Sequence, residues 1–221
     1  MKELFKLLPQ SITSFLNGKE IQKIDLGRSG CQVFYVKKFG FLKVSDDPDR
    51  LMSEKDRCLW LENRANAPKV LDFGQCLAED NAMPSRAFLL TSEVKGLPLC
   101  DKSFLETPDY LIGLISEAMA AFHAIDAVDC PFLAEGCGTD FKTDTPTLCH
   151  GDFCLPNILY DGKTLGFVDV GGMGRCEPWL DHAWALWSLD YNLKTDAYRP
   201  ALLRAFGIEF DEEKYRYYTA M

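Results

Sequence analysis

The chain opens with short apolar runs separated by glycine turns. Ile21, Ile24 and Leu26 lead into a turn at Gly27-Arg28-Ser29-Gly30. Val33-Phe34-Tyr35-Val36 follows, then a second turn at 38–40 and Phe41-Leu42-Lys43-Val44. Runs of β-branched and aromatic residues bounded by glycine predict hairpin strands over 20–44, after a short N-terminal helical segment. The period then changes. Leu51, Glu54, Cys58, Leu59 and Leu61-Glu62 fit a helix from Asp49 to about Asn63, started by Asp46-Asp47-Pro48. Residues 68–73 and 87–91 predict two more strands. Beyond residue 100 the signal is mainly helical: Leu111, Leu114, Ile115, Ala118, Met119 and Phe122 recur at spacings of three and four in a helix ending near His123. Residues 130–147, rich in Gly, Thr, Asp and Pro, read as a loop, and helices follow at roughly 179–193 and 196–207.

Strands first and helices afterwards predict an α+β protein of two lobes, residues 1–95 and 96–221, joined near Lys95–Pro98. No apolar stretch approaches the ~18 residues that span a bilayer, and the N-terminus lacks the pattern of a secretory signal. The nine cysteines are odd in number, scattered and without a CxxC pair, so they read as reduced thiols of a cytoplasmic protein and not as a zinc site. Charge sharpens the division into lobes. The net charge of −9 argues against nucleic-acid or anionic-membrane partners, and no obligate protein partner is evident. Residues 1–100 carry 15 basic and 13 acidic side chains, whereas residues 101–221 carry 9 and 20. A second half at −11 favours a cationic small-molecule partner.

The chemistry concentrates in 148–172. Leu148-Cys149-His150-Gly151-Asp152-Phe153-Cys154-Leu155-Pro156-Asn157 places a His, an Asp and an Asn on a loop between apolar segments. Asp169 lies 17 residues after Asp152, at the end of an apolar run and before a glycine turn. An Asn and an Asp converging from two turns supply hard oxygen ligands that suit Mg²⁺. Asp152 is then left to orient a hydroxyl and accept its proton, the division of roles found in phosphoryl transfer. No G-x-S-x-G nucleophile turn is present. Trp179, Trp184 and Trp187 follow helical spacing and read as core, as His123 and His182 read as structural.

The span 150–186, with HGDFCLPNILY, GFVDVGG, GRCEPW and LDHAWAL, resembles the aminoglycoside phosphotransferases, and most nearly their 3′-phosphotransferases. The resemblance implies a protein-kinase-like fold, with an N-terminal antiparallel sheet carrying one helix and a mainly helical C-terminal lobe. It implies Asp152 as the catalytic acid–base residue and Asn157 and Asp169 as Mg²⁺ ligands. His150 would organise the loop, and Asp181 would support it. ATP or GTP would be the co-substrate, and the hydroxyl acceptor a small cation. On the nucleotide side, the turn that includes Gly27 and Ser29 would bring backbone N–H groups to the phosphates. Lys43, charged within an apolar strand, would contact them, and Glu54 would hold that lysine. The segment SEKDRCLWLENRANAPKVLDF carries Glu54 in the matching place. The main chain at Ser92 and Val94 would meet the purine.

The resemblance runs from about 20 to 207 and departs from its family at one place. Only 16 residues separate Phe132 from Cys149, where the 3′-phosphotransferases carry a longer, largely helical insert that forms part of the acceptor wall. The C-terminal residues 210–221 also lack the family's acidic–aromatic ending. Arg175, Asp190 and Asn192 fall where acceptor contacts are expected. A kinase of another small hydroxylated metabolite (choline, homoserine or an amino sugar) shares every nucleotide-side residue, and a nucleotide-binding module without turnover is the remaining alternative. A protein kinase fits less well, because the chain lacks the length for an activation segment ending in A-P-E.

Overall fold

The computed structural model describes residues 8–24, 31–76, 85–138, 140–141 and 143–220. The glycine turn that contains Gly27 and Ser29 lies outside them. The chain divides into two compact units, Met1–Glu62 with Ala67–Val94, and Asn63–Asn66 with Lys95–Met221.

The first unit is an antiparallel sheet in the order β1 (Ile21–Ile24), β2 (Gln32–Val36), β3 (Gly40–Ser45), β5 (Arg86–Ser92), β4 (Val70–Cys76). Side chains alternate between its faces. Phe34, Val36, Leu42, Val44, Phe88 and Leu90 pack on one face against Leu8, Ile12 and Leu16, the last two from helix α1 (Gln10–Leu16). The opposite face takes helix α2 (Pro48–Leu61), whose Leu51 packs with Ala87 and Leu89. Asp47 caps α2 by accepting from Arg50 N, and Pro48 occupies the first turn, where its missing N–H costs nothing. Leu51, Glu54, Cys58 and Leu61 are its buried positions, one helical face with a single acid among them.

The second unit is helical around two small sheets. β6 (Leu97–Pro98), β8 (Ile158–Tyr160) and β9 (Leu165–Phe167) form one sheet, and β7 (Thr147–Cys149) pairs antiparallel with β10 (Gly174–Cys176). A one-turn helix α3 (Lys102–Leu105) precedes α4 (Pro108–His123), which buries Leu111, Ile112, Leu114, Ile115, Ala118, Met119 and Phe122, the stripe expected from the sequence. Helices α5 (Trp179–Leu193), α6 (Arg199–Phe206) and α7 (Glu212–Thr219) complete the unit. The sequence pattern gave no sign of α7, whose mean polarity is high. It is capped by Asp211 and docked by buried Glu177, which accepts from Lys214 Nζ at 2.8 Å and from Tyr218 OH at 3.4 Å.

Two sequence expectations need correction. Trp187 is not core: it is 38% exposed and stacks on Tyr191 with an interplanar angle of 12°. Nor are all thiols reduced, because Cys137 and Cys176, 39 residues apart, pair as a disulfide with Cα atoms 5.6 Å apart. The other seven cysteines are free. No spacing rule reveals that pair. It forms because Leu133 bridges Arg175, which lays residues 132–137 beside β10.

Candidate functional site

In the first unit, Lys43 sits between Val33 and Leu89 in the centre of the sheet, on the face opposite Leu42 and Val44. That face takes α2, so the lysine meets the only acid on the helix's buried side. Lys43 Nζ donates to Glu54 Oε1 at 2.7 Å, with the two side chains 19% and 8% exposed. A charge-assisted contact this well shielded fixes the ammonium position more firmly than a surface pair would. Ser92 ends β5. Its N–H donates to Lys69 O at 2.8 Å and its Oγ accepts from Lys69 N at 2.9 Å, so residues 69 and 92 hold each other. Val94 is buried.

In the second unit the candidate residues stand on turns. Asn157 ends a 3₁₀ turn (Leu155–Asn157) just before β8, and Asp169 follows β9. Ile158 pairs with Phe167, and Val168 N donates to Asn157 O at 2.9 Å, so the ladder itself brings Asn157 beside the segment that carries Asp169. Asp169 adopts a left-handed backbone (φ 57°, ψ 45°), a conformation that Asp tolerates better than most residues and one frequent at functional sites. Asn157 Nδ2 donates to Asp152 Oδ2 at 2.9 Å and to Asp152 O at 3.0 Å. With its amide nitrogen committed to Asp152, the atom Asn157 can offer a cation is Oδ1. Together with the Asp169 carboxylate that makes an all-oxygen donor set, the kind that suits Mg²⁺.

Three groups hold this loop from behind. Fully buried Asp181, in the first turn of α5, accepts from His150 N at 2.7 Å and from Gly151 N at 3.0 Å. His123 Nε2 reaches the same carboxylate at 3.0 Å. His150 is buried, and its Nε2 lies 3.0 Å from Val168 O. Since a carbonyl only accepts, Nε2 carries the proton, and Nδ1 is the acceptor for Asp152 N at 3.4 Å. Gly151 has φ 85°, and a Cβ there would stand 2.4 Å from Gly172 O, so no other residue fits at the step before Asp152. Cys154, also buried, hydrogen-bonds to Asp152; its thiol is pushed far up by burial and then by the Asp152 charge, which keeps it protonated. His123, Cys149 and Asp181 place ligating atoms within 4.8 Å of one another. Burial and the Asp181 charge hold the Cys149 thiol protonated as well, so this trio is a brace for the loop.

The residues expected at the acceptor are more dispersed. Arg175 lies in β10 opposite Leu148, and its Nε is buried without a hydrogen-bond partner among the described residues. Asp190 pairs with Arg199 Nε at 3.1 Å, while burial raises its pKa against the pull of that cation. Asn192 Nδ2 donates back to Ser188 O at 2.8 Å. Sequence reasoning did not find Cys154 or the His123 contact to Asp181. The helix end Phe122-His123-Ala124-Ile125 carries no signal of a partner 58 residues away.

Residues 139–218 match the family model described as the phosphotransferase enzyme family, APH. An aminoglycoside 3′-phosphotransferase of Enterococcus faecalis is 30% identical over 209 aligned positions, covering 76% of each chain. That of Niallia circulans is 25% identical over 266 positions, covering all of this chain and 98% of its own. The second alignment is longer than these 221 residues, so that relative carries segments this chain lacks. Among solved structures, aminoglycoside phosphotransferase APH(3″)-Id of Streptomyces rimosus superposes with a TM-score of 0.74 at 24% identity, covering 98% of this chain and 95% of its own. A type VIII aminoglycoside-3′-phosphotransferase gives 0.72 at 22%, covering 95% and 94%. At these identities the superpositions establish the kinase-like fold.

Proposed function

The chain belongs to the aminoglycoside phosphotransferase family, and on that premise we propose that it transfers the γ-phosphoryl group of ATP or GTP to a hydroxyl of a small cationic acceptor, an aminoglycoside first among candidates. One observation carries the reading: the Asp152 carboxylate is held by Asn157 Nδ2 on a loop clasped by Asp181, beside the strand end that bears Asp169. In this reading Asp152 receives the acceptor hydroxyl, orients it and takes its proton as the oxygen attacks phosphorus. Asn157 Oδ1 and Asp169 would hold Mg²⁺. That ion, when bound, neutralises charge on the phosphates. Lys43, fixed by Glu54, contacts the phosphates from the first unit, and the main chain at Ser92 and Val94 meets the base. The first unit is thus the nucleotide-binding lobe and the second the catalytic and acceptor lobe. Catalysis is positioning and charge stabilisation, with no covalent protein intermediate.

Arg175, Asp190 and Asn192 remain candidates for the acceptor side. Asp190 would have to share its carboxylate with Arg199, which makes it the weakest of the three. A cytoplasmic setting accords with the nucleotide it uses. ADP release measured over kanamycin, streptomycin, choline and simple alcohols tests the proposal. Turnover confined to aminoglycosides supports it, turnover with choline alone redirects it to another metabolite, and binding without turnover by a folded protein overturns it.

A further inference from the structure

The structure assigns a second chemistry to the acceptor side: we infer that Cys137 and Cys176 form a reversible thiol–disulfide site that sets how firmly segment 132–137 braces the Asp152 loop. The inference rests on the proposed role of Asp152. Its physical basis is a continuous line of contacts within the second unit. Arg175 N donates to Phe132 O at 2.9 Å, Ala134 N to Arg175 O at 3.2 Å, and Glu135 N to Gly172 O at 2.7 Å. The approach is close enough that a Cβ on Gly174 would fall 2.3 Å from the backbone carbon of Leu133. The segment thus adds a parallel edge to β10. At its end the Cys137–Cys176 bond closes a 39-residue separation.

What the segment braces is the site. Gly172 O, the acceptor for Glu135 N, is also the atom packed against Gly151, one residue before Asp152. Gly172 follows Asp169 by three residues in the turn that continues from it. Loosening 132–137 therefore releases Gly172, which releases one side of Gly151. Asp181 still holds the N–H of Gly151, so the expected change is in acceptor placement and not in the fold. An added covalent tie has a physical purpose here: three hydrogen bonds alone hold an irregular edge weakly.

The sulfurs differ in access. Cys176 is buried, whereas Cys137 is half-buried. Exchange therefore starts at Cys137. On oxidation its thiolate attacks one sulfur of oxidised glutathione, forms a mixed disulfide and expels one reduced glutathione. Cys176, losing its proton, then attacks Cys137 Sγ and expels the second. Two thiols become one disulfide, one glutathione disulfide becomes two thiols, and the protons lost by the cysteines are taken up by the expelled thiolates. Reduction runs the same steps backwards, a glutathione thiolate entering at Cys137.

The intact protein, equilibrated in oxidised or reduced glutathione and then alkylated in denaturant, tests this directly. We expect Cys137 and Cys176 to be unalkylated and joined in a 137–176 cross-linked peptide in the first buffer, and both alkylated and uncrosslinked in the second. Amide exchange at 134–137 should quicken on reduction, and the KM for the aminoglycoside turned over should rise about three- to tenfold with the nucleotide KM unchanged. Cys137→Ser should behave as the reduced form in both buffers. Alkylation of both Cys137 and Cys176 in oxidised glutathione overturns the inference, as do interconverting forms with identical exchange and identical acceptor KM. If neither kanamycin nor streptomycin is phosphorylated in either buffer, the acceptor reading fails, while the cross-linked peptide and amide exchange still decide the redox site.

Discussion

The two units present their charged groups in opposite ways. Lys43 and Glu54 stand on regular elements, a central strand and the helix across it, and a shielded ion pair of 2.7 Å joins them. Asp152, Asn157 and Asp169 stand on turns between strands of three residues. Such turns hold no shape alone. Theirs is imposed by buried Asp181, by His150, by a left-handed Asp169 and by the Gly151–Gly172 approach. Regular structure positions a side chain cheaply but offers few angles. A braced turn offers several donors at one point, at the cost of a network that fails if a single buried member is removed.

That contrast can be broken at either end. Asp152→Asn should give the largest effect, a loss of about 10²–10⁴-fold in kcat with nucleotide affinity retained in calorimetric titration, because the exchange is nearly isosteric. Wild-type turnover in a clean preparation would remove Asp152 from the reaction. Asp181→Ala should come next. It orphans one buried and one half-buried N–H group and a histidine at once, so unfolding by urea should show about 2–4 kcal/mol of lost stability, and kcat should fall with it. If only stability changed, the clasp would be scaffolding without bearing on the site.

Glu54→Gln tests the regular end. Removing the carboxylate from Lys43 should lower kcat/KM for the nucleotide by roughly tenfold or more, the equivalent of about 1.5–3 kcal/mol for a charged hydrogen bond. Fold stability should change less than in Asp181→Ala, and a reversal of that order would overturn the contrast. The smallest effect concerns the brace around His123. His182, packed between Trp179, Phe206 and His123, has its pKa lowered to about 4, first by burial and then by His123. At neutral pH it is uncharged in both the folded and unfolded states. Below about 6.5 the unfolded chain takes up a proton that the folded one refuses, so stability falls with pH until about 4. The loss between pH 7 and pH 5 should be about 2 kcal/mol, measurable by thermal or urea unfolding. His182→Phe should flatten that slope; an unchanged slope would place its cause elsewhere.

The same contrast explains what the sequence could disclose. Lys43 stood out because it is a charge inside an apolar strand one hairpin after the glycine turn, and Glu54 because it lies on the helix that follows, in the place the family resemblance implies. The Leu111–Phe122 stripe was legible from its spacing of three and four alone. Asp152, Asn157 and Asp169 could be read from order and spacing, since the loop and the turn after it fix their separation. Their braces could not. Asp181 meets His150 from 31 positions away, and His123 meets Asp181 from 58, distances at which no periodicity survives. Cys137 and Cys176 escaped for a like reason, their meeting created by an edge pairing that composition described only as loop. Asp190 is the converse case. Its position suggested an acceptor contact, and the structure adds a partner, Arg199, that no spacing announced.

The clasp by Asp181 also bears on how such a site can be moved or redesigned. HGDFCLPN reads as a self-contained cassette, yet its first two N–H groups terminate on a carboxylate supplied by another helix. Grafted onto a new scaffold without that acid at the matching depth, the eight residues would arrive as a loose loop carrying the right letters. The transferable unit is therefore discontinuous: a loop, the turn bearing Asp169, and one helical turn that begins at Trp179.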